Sequence, residues 1–312
     1  METKPIKQHM GIRAANAISN TIIHILLIVI SVIWLIPFIC IVLQSFRVES
    51  SWQVGYVIPK QWGFDNYVNL MNTNFPKWYL NTFITALITA ALQTIIVLCM
   101  SYTLSRFRFK MRKPLMQFML ILGMFPGMLT MIILYRVLKD LGLTQANAVP
   151  GLILVYIASS GMGYYVSKGF FDTLPKSLDE AARVDGASEK RIFFTIGVPL
   201  GLPAMLTTFL FSFVWYWNET YTTSLYMGNA ALGDTHSVST LLMELSKFED
   251  SYKAYLEKVS GWAAKMGGAT NIQNEAVTMA GTILTILPLL IIYFCLQRYF
   301  TEAIDRSGIT GE

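Results

Sequence analysis

Residues 21–43, TIIHILLIVISVIWLIPFICIVL, contain no Asp, Glu, Lys or Arg. A run of about 20 mostly apolar residues is what a helix needs to cross the hydrocarbon core. Backbone amides in lipid must be satisfied within the segment, so such a run folds as a helix. Five more stretches have this character, at 80–104, 115–134, 148–166, 204–227 and 276–296. The pattern predicts an all-α membrane protein with six transmembrane helices. Composition agrees, since only 14% of the 312 residues are charged, against about 25% in soluble domains. Lys4, Lys7 and Arg13 precede the first run as in a secretory signal. That run is too long for one, and no small-residue cleavage site follows, so it is read as a span.

Basic residues set the orientation. With the N-terminus cytoplasmic, the inner segments hold Lys4, Lys7 and Arg13, the acid-free run RFRFKMRK at 106–113, Lys168, Lys176, Arg183, Lys190, Arg191, Arg298 and Arg306, more than half of the 24 Lys and Arg. Both termini are then cytoplasmic, as tails at 1–20 and 301–312 around a transmembrane domain at 21–300.

Several chemistries find no residues to carry them. Cys40, Cys99 and Cys295 lie far apart inside apolar runs, where thiols act as small hydrophobes and offer neither a disulfide framework nor a metal site. The stretch GMGYYVSKG at 161–169 lacks P-loop spacing. No Ser/His/Asp set marks a catalytic centre, and no basic, aromatic-laced surface suits nucleic acid. The spans hold almost no ionisable side chains, which disfavours an ion-coupled carrier. An intramembrane enzyme is the weaker alternative, and whatever drives the protein is expected to come from a partner.

Breakers recur at membrane depth, at Pro37, Gly123, Gly161, Gly163 and Pro288. MFPGM at 124–128 places Pro126 beside Gly127, the best hinge candidate. Ordinary kinks and close helix packing explain the others as well.

The segment 177–199 is charged and sharply punctuated between two apolar runs. Ser177 and Glu180 have capping-box spacing. Leu178, Ala181, Ala182 and Val184 then suit a short helix, and Gly186 suits the left-handed position that ends one. A second helical turn is expected from Ser188 through Phe193 and Phe194 towards Pro199. Asp185 and Glu189 are placed to make charge-assisted hydrogen bonds to a partner. The residues alone leave two readings, a rigid cytosolic knob or a plain connector.

The same segment resembles the EAA loop of membrane subunits of bacterial ATP-binding-cassette importers: E-A-A, three residues, G, nine residues, I-x-L-P. Here it reads Glu180-Ala181-Ala182, Gly186, Ile196, Val198 and Pro199, with Val198 in place of the usual Leu. EAARVDGAS, with Asp185 before the glycine, is similar to the carbohydrate group. MFPGMLTMIILYRVLKDLGL at 124–143, RFRFKMRK, WNE at 217–219 and ILPLLIIYFCLQRYF at 286–300 extend the resemblance to maltose and multiple-sugar type permeases over all but about 228–275. The resemblance implies a type I importer permease in the bacterial cytoplasmic membrane, working by alternating access. Glu180, Ala181, Ala182, Asp185 and Gly186 would contact the ATPase. Implied partners are a second permease, two ATPase subunits that bind ATP and Mg, an extracytoplasmic solute-binding protein, and a sugar or oligosaccharide, with another solute as the alternative. The chain itself would hold no cofactor.

Two stretches face outward on this topology. FVWYWNETY at 213–221 sets Trp215, Tyr216, Trp217 and Tyr221 beside Asn218 and Glu219. An aromatic belt explains the tryptophans. A polar pair at that depth is expected to face protein or a water-filled vestibule, making Tyr216, Asn218, Glu219 and Tyr221 candidates for the solute path. The segment 228–275 reads as an insertion. Leu241, Leu245, Phe248, Tyr252, Tyr255 and Val259 share one face of an expected helix, which would pack on the bilayer, the permease itself or the binding protein.

Overall fold

The computed structural model describes residues 7–49, 56–124, 127–144, 148–158, 161–227, 239–248 and 271–308. Among the described residues all regular structure is helical, apart from one isolated antiparallel bridge between Arg47 and Trp62. In chain order the helices are α1 (Lys7–Ser45), α2 (Asp65–Met71), α3 (Phe75–Arg106), α4 (Arg112–Gly123), α5 (Gly127–Asp140), α6 (Ala148–Ala158), α7 (Gly161–Thr173), α8 (Lys176–Val184), α9 (Glu189–Ile192), α10 (Val198–Asn218), α11 (Tyr221–Met227), α12 (Leu241–Leu245) and α13 (Asn271–Gly308).

Among the described residues four helical segments are long and apolar enough to cross a bilayer: Ser19–Ser45, Phe75–Arg106, Glu189–Asn218 and Glu275–Arg298. A bent pair, Ala148–Ala158 with Gly163–Thr173, whose axes differ by 49°, makes a fifth when taken as one span. The run expected at 115–134 is divided between α4 and α5, and Pro126 lies outside the described residues. The first span shows why lipid is the solvent here: residues 19–39 are exposed along every face, apolar side chains included.

The chain forms two units, residues 1–70 with 256–283 and residues 71–255 with 284–312. In the first, the chain leaving α1 folds around buried polar groups. The Arg47 guanidinium donates to the carbonyls of Tyr56 (3.0 Å) and Val57 (2.9 Å). Asn66 on α2 donates to the carbonyls of Ser45 (2.9 Å) and Arg47 (2.8 Å). Phe46 meets Phe64 edge to face at 5.4 Å and packs against Tyr67 at 5.3 Å.

In the second unit α3 is the central helix and packs against α6, α7 and α10. Its inner face carries small and hydroxylated side chains, among them Thr82, Ala86, Thr89, Ala90 and Thr94. Small residues let helices approach closely in a membrane, and hydroxyls need not seek distant partners. Thr85 and Thr94 donate to the carbonyls of Asn81 and Ala90 one turn back, both at 2.7 Å. Above this, Phe83, Phe213 and Trp217 form an aromatic layer.

The long helix expected from 241 is interrupted. It makes one turn, Leu241–Leu245, and Ser246 and Lys247 form a turn. Tertiary bonds hold this piece against α3 instead. Thr82 accepts from the Leu241 amide at 2.8 Å, Asn81 donates to the Ser239 carbonyl at 3.1 Å, and Phe248 meets Trp78 edge to face. This part of the insertion therefore packs on its own chain. Tyr252, Tyr255 and Val259 lie outside the described residues.

Candidate functional site

The charged segment between α7 and α10 forms two short helices joined by a tight turn. Helix α8 starts at Lys176 with Pro175 as its N-cap, and no side chain caps it. The expected capping box of Ser177 and Glu180 is therefore absent. Pro175 has φ −58°, the value its ring imposes, so the helix begins before Ser177 can occupy the capping position. At the other end the glycine does what its place suggests. Gly186 has φ +79°, the Ala187 amide donates to the Ala182 carbonyl at 2.9 Å, and the Gly186 amide donates to Arg183 at 3.0 Å. This pair of bonds is the Schellman ending. Ser188 caps α9, its hydroxyl accepting from the Arg191 amide at 3.4 Å.

Beyond α9 the helix widens. Pro199 brings no N–H to the ladder, and the preceding turn, Phe193–Gly197, is a π segment in which the Val198 amide bonds to Phe193 five residues back. The knob thus passes into α10 through a wide turn rather than a regular helix. Glycines allow that turn to lie close to its neighbours. A Cβ on Gly197 would stand 2.8 Å from the Tyr102 ring, and one on Gly201 2.8 Å from the Phe171 ring.

Glu180, Ala181, Asp185 and Gly186 are exposed on the knob, and Ala182 is half-buried. Val184 is 88% exposed and Phe194 67%, so apolar surface stands beside the carboxylates. Glu189 does not project free as expected. The Arg183 fork grips it, Nε to Oε1 at 2.6 Å and Nη2 to Oε2 at 3.1 Å, and that hydrogen bonding, more than the charge alone, holds the guanidinium pKa above its ordinary value.

Two residues that the sequence reading did not single out anchor the knob from below. Asp179, on the inner face of α8, lies 3.0 Å from Arg106 Nε at the end of α3, each side chain 4% exposed. The Nε–H is not aligned for a hydrogen bond, so this contact is a charge pairing. The Arg106 terminal nitrogens both reach the Leu174 carbonyl at 3.2 Å. One residue earlier, Ser105 donates to Asp172 on α7 at 2.6 Å, and Asp172 also pairs with Lys168. In the sequence RFRFKMRK marks topology and the family resemblance, with no role for Arg106 itself. The i, i+4 spacing of Tyr102 and Arg106, which puts both on one helix face, was the available signal.

The structure separates the four outward candidates. Helix α10 ends at Asn218, and Glu219 is extended, with φ −76° and ψ 125°. The expected continuous span to 227 is thus broken. Glu219 causes the break, because its carboxylate caps α11: Oε1 accepts from the Thr222 amide at 2.8 Å and Oε2 from the Thr223 amide at 3.1 Å. Oε2 also accepts from the Tyr156 hydroxyl at 2.7 Å. Tyr156 on α6, unnoticed in the sequence, stacks on Tyr216 with ring centroids 4.5 Å apart, and the Tyr216 hydroxyl donates to its carbonyl at 3.0 Å. Tyr216 and Glu219 thus belong to one closed network. Asn218, by contrast, is exposed and donates to Val214 (2.8 Å), and Tyr221 is 75% exposed. Of the tryptophans, Trp215 is exposed as a belt residue would be, whereas Trp217 is buried and donates to the Thr285 carbonyl at 3.2 Å. The hinge candidate Gly127 opens α5, with space around it. Among the described residues no group of three or more His, Cys, Asp or Glu could hold a metal ion.

Several apolar spans, with an exposed helix–turn–helix beside one of them, define a multi-pass helical membrane protein. Residues 95–306 match the family described as "Binding-protein-dependent transport system inner membrane component". The chain belongs to this family, and is a multi-pass protein of the inner membrane. It is similar to the maltodextrin transport system permease protein MalD of Streptococcus pneumoniae, with 30% identity over 96% of this chain and 99% of that one. The melibiose/raffinose/stachyose import permease protein MelC of Bacillus subtilis is 26% identical over 96% of this chain and 100% of the relative. The fold is also that of a chain in the crystal structure of a bacterial ABC transporter involved in the import of the acidic polysaccharide alginate, with TM-score 0.74 and 22% identity over 96% of this chain and all of that one.

Proposed function

We propose that this chain is one permease half of an ATP-binding-cassette importer for a sugar or oligosaccharide. It has six spans and cytoplasmic termini, with α4 and α5 together forming the third. A second permease completes the path, and an external binding protein delivers the solute. Two ATPase subunits bind ATP and Mg, hydrolyse the nucleotide and drive alternating access. The observation that carries this reading is the knob, which presents Glu180, Ala181, Asp185 and Gly186 outward, over Ala182, on a helix closed by a Schellman turn. Carboxylates beside exposed apolar side chains offer a partner both charge-assisted hydrogen bonds and burial. The sugar class is supported by relatives named for maltodextrin and for melibiose, raffinose and stachyose. Asn218 and Tyr221 are the better placed of the solute-path candidates, since Tyr216 and Glu219 are engaged in holding the end of α10. Pro126 and Gly127 stay the proposed hinge.

Affinity purification from native membranes in mild detergent, with mass spectrometry of every co-purifying protein, tests this. An ATPase and a second permease are expected, and both Glu180→Lys and Gly186→Leu should release the ATPase. Recovery of this chain alone from an intact complex would overturn the proposal.

A further inference from the structure

The obvious route for motion from the knob into the membrane is along the chain into α10, with which α9 is continuous. Side-chain pairings open a second route, to α3. We infer that the last turn of α3, through Arg106 and Tyr102, receives the movement of the knob, so that α8 and α3 travel as one body. This rests on reading the knob as the ATPase-docking element.

Three observations carry it. First, the links of α8 differ in kind. Besides the turn that joins them, its side-chain ion pair to α9 is Arg183–Glu189, with side chains 40% and 45% exposed, whereas its ion pair to α3 is Arg106–Asp179, 4% exposed on each side. Water and salt screen the first and leave the second nearly unscreened. Second, α3 holds both ends of the knob. Arg106 grips the Leu174 carbonyl just before α8, and Tyr102, one turn back on the same face, packs edge-on against Phe193 after α9 with centroids 4.9 Å apart. Third, α10 joins the knob through the π segment, which replaces the regular ladder there, while α3 packs along its length against α6, α7 and α10. Arg106, Asp179 and Tyr102 are thus positioning residues for transport.

The test uses the complex purified with its ATPase, with Cys40, Cys99 and Cys295 replaced by Ser. Spin labels are placed at Ser177 on α8 and Ile95 on α3, both exposed, and their separation is measured without nucleotide and with ATP plus vanadate. In the otherwise native chain the distance is expected to hold within about 2 Å, the scale of a helix shift between packed states. With Arg106→Gln or Asp179→Asn it should change by more than that on adding nucleotide. Arg106→Lys, which keeps a cation near Asp179, should restore the native result. Tyr102→Phe should change nothing, because the Tyr102 hydroxyl has no hydrogen-bond partner among the described residues. A native distance that moves by several ångströms with nucleotide overturns the inference even if no variant accumulates. So does an assembled Arg106→Gln complex with an unchanged distance. If the native chain retains no ATPase, the functional reading fails instead, and that is seen before any label is read.

Discussion

Replacing Gly186 isolates what a single backbone angle contributes to the knob. At φ +79°, with no atom of this chain within 4 Å of where a Cβ would sit, a new side chain meets no clash within the chain, and the penalty to the knob's own fold is conformational. A left-handed backbone costs an L-residue about 1–2 kcal/mol, enough to lower the ratio of ordered to disordered turn about 5- to 30-fold. If the ATPase binds only the ordered knob, its apparent affinity falls in proportion to the ordered fraction, by at most that factor. The assay is titration of purified ATPase onto the permease pair in nanodiscs, comparing Gly186 with Asn, Ala and Val. Asn tolerates the left-handed region better than Ala, and β-branched Val tolerates it least. Affinity should therefore decline in the order Gly, Asn, Ala, Val. Side-chain size would rank Ala ahead of Asn. That ranking, or an Ala variant that binds like Gly, would refute the argument.

Other substitutions probe the packing. Gly151→Ala places a Cβ 2.2 Å from the Leu143 backbone carbonyl; overpacking of this kind costs about 1–3 kcal/mol, so the melting temperature of the purified protein should fall clearly. Tyr156→Phe removes one donor from the Glu219 carboxylate, a loss of about 1–2 kcal/mol. It should raise hydrogen exchange at 221–227 while leaving ATPase binding intact. Arg183→Gln breaks an exposed pair worth under about 1 kcal/mol. Its effect on ATPase affinity should be small and should vanish at high salt.

Much of this protein is legible from local properties. Whether 21–43 can cross a bilayer depends on its own side chains, because lipid presents the same solvent to every span. The helix end at Gly186 is equally local, since only a residue without Cβ adopts φ +79° freely. The interrupted helix at 241–245 was not legible in this way: its apolar face was visible, but not the bonds that tie Ser239 and Leu241 to Asn81 and Thr82 on α3.

The sequence by itself determined that lipid is the solvent, that the backbone crosses it as helix, and that Gly186 ends a short helix in the charged segment between two spans. These follow from hydropathy over some 20 residues and from single-residue dihedral preferences, both blind to distant neighbours. Only the tertiary structure decided that Asp179 turns inward to Arg106 while Glu180 beside it faces out. It likewise decided that Glu219 ends α10 by capping α11 and bonding Tyr156 rather than standing free. A carboxylate takes whichever donors the fold brings within reach, and Arg106 lies 73 residues before Asp179 and Tyr156 63 before Glu219. Such separations leave no trace in local pattern, because it is the packing of α3, α6, α7 and α10 that brings the pairs together.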